Sequence, residues 1–155
     1  MSHFTEMEVS FDQKHEAQLI AALEAQFGEG NVEVHEKGAG LYGYQGDLRS
    51  KNAVTSANYA PECHIIIRRK NVGSASNDVG YRRNENGKYN AYISDYDKGG
   101  NFSKEKQGTV LKNYGVGVAE KNLKKQGWIV KKTQQKNGAI LLEAEPGIGM
   151  GIGKK

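Results

Sequence analysis

The sequence is poor in the residues that usually name a chemistry. It holds one cysteine, Cys63, in 155 residues. An internal disulfide is excluded, and a reducing compartment is the expected setting. Cys63 opens the apolar run Cys63-His64-Ile65-Ile66-Ile67, where a thiol behaves as a small inert core side chain. The four histidines, His3, His15, His35 and His64, lie far apart, without the paired spacing a structural zinc site requires. No Ser/His/Asp or Cys/His set carries a local catalytic signature, so a non-enzymatic role without a cofactor is expected. Apolar stretches are short too, and none approaches the ~18 residues that would cross a membrane. Met1-Ser2-His3-Phe4 lacks the basic-then-apolar order of a signal peptide, so a cytoplasmic location is expected.

What the chain has in excess is glycine and an uneven distribution of charge. Gly occurs 20 times, about twice its usual ~7% share, which means many tight turns. With 37% hydrophobic and 26% charged residues, the chain reads as a globular domain with a thin core. Residues 1–60 carry four Lys and Arg against nine Asp and Glu, whereas residues 100–155 carry eleven Lys against four Glu. Such a gradient suits an anionic partner, or head-to-tail association of copies.

Two Asn-Gly pairs, Asn86-Gly87 and Asn137-Gly138, each sit between strand-like runs and predict hairpins with type I′ turns. Residues 4–11 alternate, with Met7, Val9 and Phe11 on one face, as a half-buried strand does. Asp12 suits a helix N-cap. Leu19, Ile20, Leu23 and Phe27 fall at helical spacing over residues 13–27, with Gly28 placed as the stop. Val32 and Val34 mark a second strand, and residues 64–69 a third with the Ile-rich composition of a central position. Residues 47–61 and 71–77 read as connectors. Ser103 caps a second amphipathic helix, which carries Val110, Leu111, Tyr114, Val118 and Leu123 towards Gln126 and ends at Gly127. The predicted class is α+β: a mostly antiparallel sheet with two amphipathic helices on one face, in the order β-α-β-(β)-β-β-β-α-β-β. Residues 1–145 are expected to form one domain, and 146–155 a flexible Gly-rich basic tail.

Several motifs bear on function. Gly38-Ala39-Gly40-Leu41-Tyr42-Gly43 matches G-x-G-x-x-G, but a dinucleotide site needs a helix opening there, and none is indicated. A Gly-rich turn presenting Tyr42, Tyr44 and Gln45 is the stronger reading. Asp95 and Asp97 stand at a strand end, where paired acids sometimes hold a divalent cation; a strand terminator is the simpler reading, and no metal is expected. The basic residues Arg82, Arg83, Lys124, Lys125, Lys131 and Lys132, with Tyr81, Tyr89 and Tyr92 interleaved among the cations, would suit a sheet that stacks bases and neutralises phosphates.

Met1-Ser2-His3-Phe4-Thr5, Tyr42-Gly43-Tyr44-Gln45-Gly46 and Asp78-Val79-Gly80-Tyr81 occur in that order. A helix containing Tyr114 follows, then Gly127-Trp128-Ile129-Val130, Asn137-Gly138 and Ile140-Leu141-Leu142. Over roughly residues 1–145 this arrangement resembles the plastid and cyanobacterial hypothetical chloroplast reading frame thirty-five proteins, a family without an established activity. The chain differs in its Gly/Met tail, in residues 71–77, and in Lys98-Gly99-Gly100-Asn101-Phe102, where the plastid members carry a less basic, Trp-containing region. The resemblance implies a small accessory or adaptor protein of a bacterium, plastid stroma or phage-infected cell, with an AAA-type ATPase as one expected partner. The leading expectation is a non-enzymatic protein that binds a macromolecule, either such a protein complex or nucleic acid. Contacts are expected at Tyr42, Tyr44, Gln45, Arg82, Arg83, Lys124, Lys125, Lys131 and Lys132. The alternatives are a small-ligand or nucleotide-binding protein that uses residues 38–46, and a self-assembling structural homo-oligomer.

Overall fold

The computed structural model describes residues 3–49 and 59–147. The expected tail from 148 onwards and the middle of the 47–61 connector lie outside these residues. The class is α+β. The chain divides into two compact units, Met1–Leu111 and Lys112–Lys155.

The first unit is built on a five-stranded antiparallel sheet in the order β1-β5-β4-β3-β2. Its strands are β1 (Phe4–Val9), β2 (Val32–Ala39), β3 (Cys63–Ile67), β4 (Val79–Arg83) and β5 (Tyr89–Ser94). β1 and β2, neighbours in sequence, occupy opposite edges, so the helix between them, α1 (Glu16–Phe27), must carry the chain across three strands. Asp12 starts this crossover by accepting from the amide of Lys14 at 3.0 Å, and a single 3-10 turn (Gln13–His15) leads into α1. Gly28, at φ +106°, ends the helix.

Register assigns each residue to a face. One row across the sheet reads Val34, Ile65, Tyr81, Ala91, Met7. This face meets α1, whose buried side is Leu19, Ala22 and Leu23. Arg83, on the same face, fixes the start of α1 with a bidentate pair to Glu16 at 2.8 and 3.0 Å from Nη2. The next row reads Glu33, Ile66, Gly80, Tyr92, Glu6 and belongs to the opposite face. That face is also covered: Phe4, Leu41, Ala60, Cys63, Ile66 and Tyr92 form a buried cluster, with Leu41 inserted from the Gly-rich segment. Burial pushes the Cys63 thiol well above its ordinary range, so it remains neutral packing material.

Gly80 shows how tightly this second layer sits. A Cβ there would stand 2.6 Å from Cys63 Sγ and 2.9 Å from Leu41 Cδ2. Gly80→Val is therefore expected to destabilise the protein by about 1–3 kcal/mol through overpacking, read from the midpoint of urea unfolding.

Two one-turn helices were not anticipated, α2 (Arg69–Val72) and α3 (Asp95–Lys98). The optional extra strand between β2 and β3 is absent among the described residues; the Gly-rich segment makes only an isolated bridge, Tyr42 to Leu48. The long helix α4 (Lys104–Lys125) begins in the first unit and ends in the second. Ser103 Oγ accepts from the amide of Lys106 at 3.3 Å near its start.

The second unit adds to the last part of α4 a hairpin of β6 (Trp128–Gln134) and β7 (Ile140–Pro146). Lys112 Nζ donates to the carbonyl of Gly138 at 2.7 Å, which brings the hairpin's turn back to the helix. Trp128, Val130, Ile140 and Leu142 are its half-buried apolar side chains. Pro146, assigned to the tail in the sequence reading, ends β7 opposite Trp128.

Both Asn-Gly hairpins form, but neither turn is type I′. That type needs positive φ at both central residues, and only Gly87 (φ +75°) and Gly138 (φ +86°) have it. Each loop has three residues, closed by Asn84 N to Lys88 O at 3.0 Å and Gln135 N to Ala139 O at 2.7 Å. The asparagines act through their side chains instead: Asn137 Oδ1 accepts from Ala139 N. In the first loop Asn84 Oδ1 takes two amides, from Asn86 and Lys88. These side-chain bonds stabilise a type I turn followed by a left-handed glycine.

Candidate functional site

A buried and densely bonded part of the first unit is the dipeptide Asn77-Asp78, just before β4. Sequence reading placed Asn77 in a flexible connector, because Asn71–Asn77 carries no apolar periodicity. The structure instead buries Ser76, Asn77 and Asp78. Asp78 Oδ2 accepts from the amide of Tyr42 at 2.8 Å and from Arg68 Nη1 at 2.8 Å. Its Oδ1 accepts from the amide of Arg69 at 2.7 Å, which anchors the first turn of α2. The Asp78 amide in turn donates to the carbonyl of Tyr42 at 2.9 Å. Asn77 repeats the pattern one step on: its Oδ1 accepts from Tyr44 N at 2.9 Å, and its Nδ2 donates to Ser94 Oγ at 2.9 Å.

These bonds clamp the backbone of Tyr42 and Tyr44 and leave both side chains outside. Arg68 Nη1 also donates to the carbonyl of Gly40 at 2.9 Å, and Arg69 Nη1 to that of Tyr44 at 3.0 Å. The segment alternates: Leu41 points into the core, while Tyr42 is 42% and Tyr44 36% exposed. Gln45 is exposed beside them. Arg68 lies over one face of the Tyr42 ring, 5.7 Å from its centroid. Tyr42, Gly46, Arg68, Arg69, Lys70 and Asp78 line a shallow hollow of about 350 Å³.

The charges in this hollow are not equivalent. Partial burial of Arg68 would favour losing its proton, but hydrogen bonds to Glu33 and Asp78 outweigh that and push its pKa above the usual value. Burial would raise the Glu33 pKa, yet Arg68 and His35 pull it below the ordinary carboxylate range. Arg68 is thus neutralised by two acids and serves as structure. Lys70 has no bonded partner among the described residues, and Arg69 spends one nitrogen on Tyr44. These two exposed cations are the ones an anion would meet.

Other expected contact residues fall elsewhere. Arg82 donates to the carbonyl of Glu62 at 2.5 Å, and Arg83 is held by Glu16. Both are thereby tied to the fold's own groups. Lys124, Lys125, Lys131 and Lys132 are exposed in the second unit. Lys124 stands 3.9 Å from Glu120 one helical turn back, and Lys131 lies opposite Glu143. The expectation of a base-stacking sheet is corrected: Tyr81, Tyr89 and Tyr92 are 2%, 0% and 4% exposed. Both sheet faces are covered, so no ring is left for a base.

Asp95 and Asp97 diverge. Asp95 accepts from Thr5 Oγ1 at 2.8 Å at the edge of the sheet. Asp97 is buried, its Oδ2 accepting from Asn77 N and Ser94 Oγ at 3.0 and 2.8 Å. Its Oδ1 is buried without a hydrogen-bond partner among the described residues. Among the described residues no group of three or more His, Cys, Asp or Glu is placed to hold a metal ion. No helix opens after Gly43 through residue 49 either, so the geometry a dinucleotide-binding glycine motif needs does not follow it.

One signal for the Asn77-Asp78 clamp was present in the sequence. Polar residues abutting an apolar strand, Asn77-Asp78-Val79, are where side-chain acceptors often satisfy a neighbouring loop. The loop amides they satisfy, those of Tyr42 and Tyr44, lie 36 and 33 residues away. No protein-family model matches the chain, and neither a curated protein nor a solved structure matches it.

Proposed function

We propose that this protein is a non-enzymatic binding protein for single-stranded nucleic acid. Tyr42 and Tyr44 would stack bases, and Arg69 and Lys70 would meet the backbone phosphates. The observation that carries this reading is the rigid presentation of two exposed tyrosines beside two available cations. An aromatic ring held at the surface by backbone bonds loses little further freedom on binding, and bases of any sequence offer it a π-face. The excess of lysine in residues 100–155 supports the reading through long-range attraction for a polyanion. Kinship with the plastid family noted above is proposed on the same footing and supplies no ligand.

The test is fluorescence anisotropy with a labelled 12-nucleotide pyrimidine strand and a duplex of equal length, at 50 and 200 mM salt. Binding is expected to favour the single strand and to weaken as salt rises. Removing two phosphate contacts in Arg69→Ala/Lys70→Ala should flatten the plot of log K against log salt by about 1.4, since each phosphate neutralised on a single strand contributes ~0.7. Absence of binding at 50 mM salt would overturn the reading.

A further inference from the structure

The end of the sheet that carries the Asn77-Asp78 clamp holds a third exposed ring. Register places Val79 opposite Ile67 and Gly80 opposite Tyr92, so β3 ends, β4 starts and β5 ends side by side. α2 follows β3 at this end, and α3 follows β5. Their starts are two strand spacings apart, roughly 10 Å. Tyr96, on α3, is 51% exposed, more than either Tyr42 or Tyr44.

The segment that clamps Tyr42 and Tyr44 also orients Tyr96. The Tyr96 hydroxyl donates to the carbonyl of Ser74 at 3.5 Å, a long bond. Asn101 Nδ2 donates to the same carbonyl at 3.3 Å and to Ser76 Oγ at 2.6 Å. Ser76 N donates to the Gly73 carbonyl at 3.4 Å, which closes a four-residue turn. Within that turn Ala75 has φ +56°, the only positive φ of a non-glycine among the described residues. Positive φ at the third residue alone is the type II pattern, which normally takes Gly or Asn there. An alanine is strained in this conformation. Its φ helps to set the direction of the Ser74 carbonyl, the atom that Tyr96 and Asn101 share. Strain of this kind is often kept where a surface serves binding.

The acids at this end are engaged. Asp78 and Asp97 are buried and accept from the clamp's donors. Asp95, the exposed one, accepts from Thr5. The cations Arg69 and Lys70 stand on α2, and Lys98 ends α3.

We propose that Tyr96 is a third base-stacking residue. A single strand would run from Tyr42 and Tyr44 across the Gly73–Ser76 turn to Tyr96, with Lys98 beside the phosphate at that end. This role rests on the single-strand reading and extends that site from α2 to α3. Stacked nucleotides advance ~3.4 Å each, so the roughly 10 Å between the two helices takes about three.

Fluorescence anisotropy on the full chain, with the same labelled 12-nucleotide pyrimidine strand, tests it. Tyr96→Ala is expected to weaken binding about 5- to 150-fold, the usual effect of losing one stacking ring. The salt dependence should be unchanged, because no cation is lost. Tyr96→Phe keeps the ring and loses only the hydroxyl's contact with Ser74, so it should bind close to the parent. Tm should stay near the parent's in both, as the side chain is half exposed. A strand carrying iodouracil, irradiated with the parent protein, should cross-link at Tyr96 as well as at Tyr42 or Tyr44. Unchanged binding by Tyr96→Ala, an equal loss in Tyr96→Phe, or cross-links confined to Tyr42 and Tyr44 would overturn the role of Tyr96 and leave the single-strand reading standing. A parent protein that binds no strand at 50 mM salt would overturn both.

Discussion

Asp78→Ala is expected to destabilise the protein by about 3–5 kcal/mol, the usual result of removing one partner from a buried charge pair. The Asp78 carboxylate is 1% exposed and accepts from Tyr42 N, Arg69 N and Arg68. Alanine would leave two backbone donors unpaired and would take from Arg68 one of its two acidic partners. At roughly 4–8 °C per kcal/mol for a unit of this size, Tm should fall by at least about 12 °C. Asp78→Asn would restore one acceptor but turn an NH2 group towards a donor, so it should recover part of the loss. Thermal and urea unfolding of the three proteins provide the check. A loss below about 1 kcal/mol for the alanine variant would mean that water replaces the carboxylate and that the clamp is dispensable.

The second large effect concerns binding rather than stability. Tyr42→Ala and Tyr44→Ala remove exposed rings whose backbone bonds to Asn77 and Asp78 remain. Base stacking on an aromatic ring contributes roughly 1–3 kcal/mol, so each substitution should weaken a single strand about 5- to 150-fold. Stability should move little for Tyr44→Ala. Tyr42→Ala should cost somewhat more, because Arg68 packs over that ring. The salt dependence should be unchanged in both, since no cation is lost, in contrast to Arg69→Ala/Lys70→Ala. Equal affinity of the parent and the double tyrosine variant, with retained salt dependence, would leave charge as the only source of binding and remove the stacking role.

The two classes of expected contact residue differed in how visible they were. Tyr42, Tyr44 and Gln45 stood out because aromatics in a Gly-rich run have few local ways to be buried, and all three are exposed. Arg82 and Arg83 looked like part of a basic surface because the sequence places them next to each other on a strand. Their partners, Glu62 and Glu16, lie 20 and 67 residues away. Arg69 and Lys70 are two of 22 Lys and Arg residues in the sequence. They acquire significance only when Asn77 and Asp78 bring residues 40–49 alongside them.

The local elements were set by the sequence alone. Alternation in residues 4–9, the Asp12 cap, the Leu19–Leu23 stripe, the Gly28 and Gly127 stops and the two Asn-Gly loops depend on neighbours within a few residues. Backbone sterics and short-range hydrogen bonds are enough to fix them. The tertiary structure alone decided the order β1-β5-β4-β3-β2, the burial of Tyr81, Tyr89 and Tyr92, and the clamp at Asn77-Asp78. It also divided the chain within the continuous helix α4. Each of these depends on which distant segment covers which face, and that is settled by the joint burial of apolar surface and pairing of buried polar groups, neither of which is encoded within any one segment.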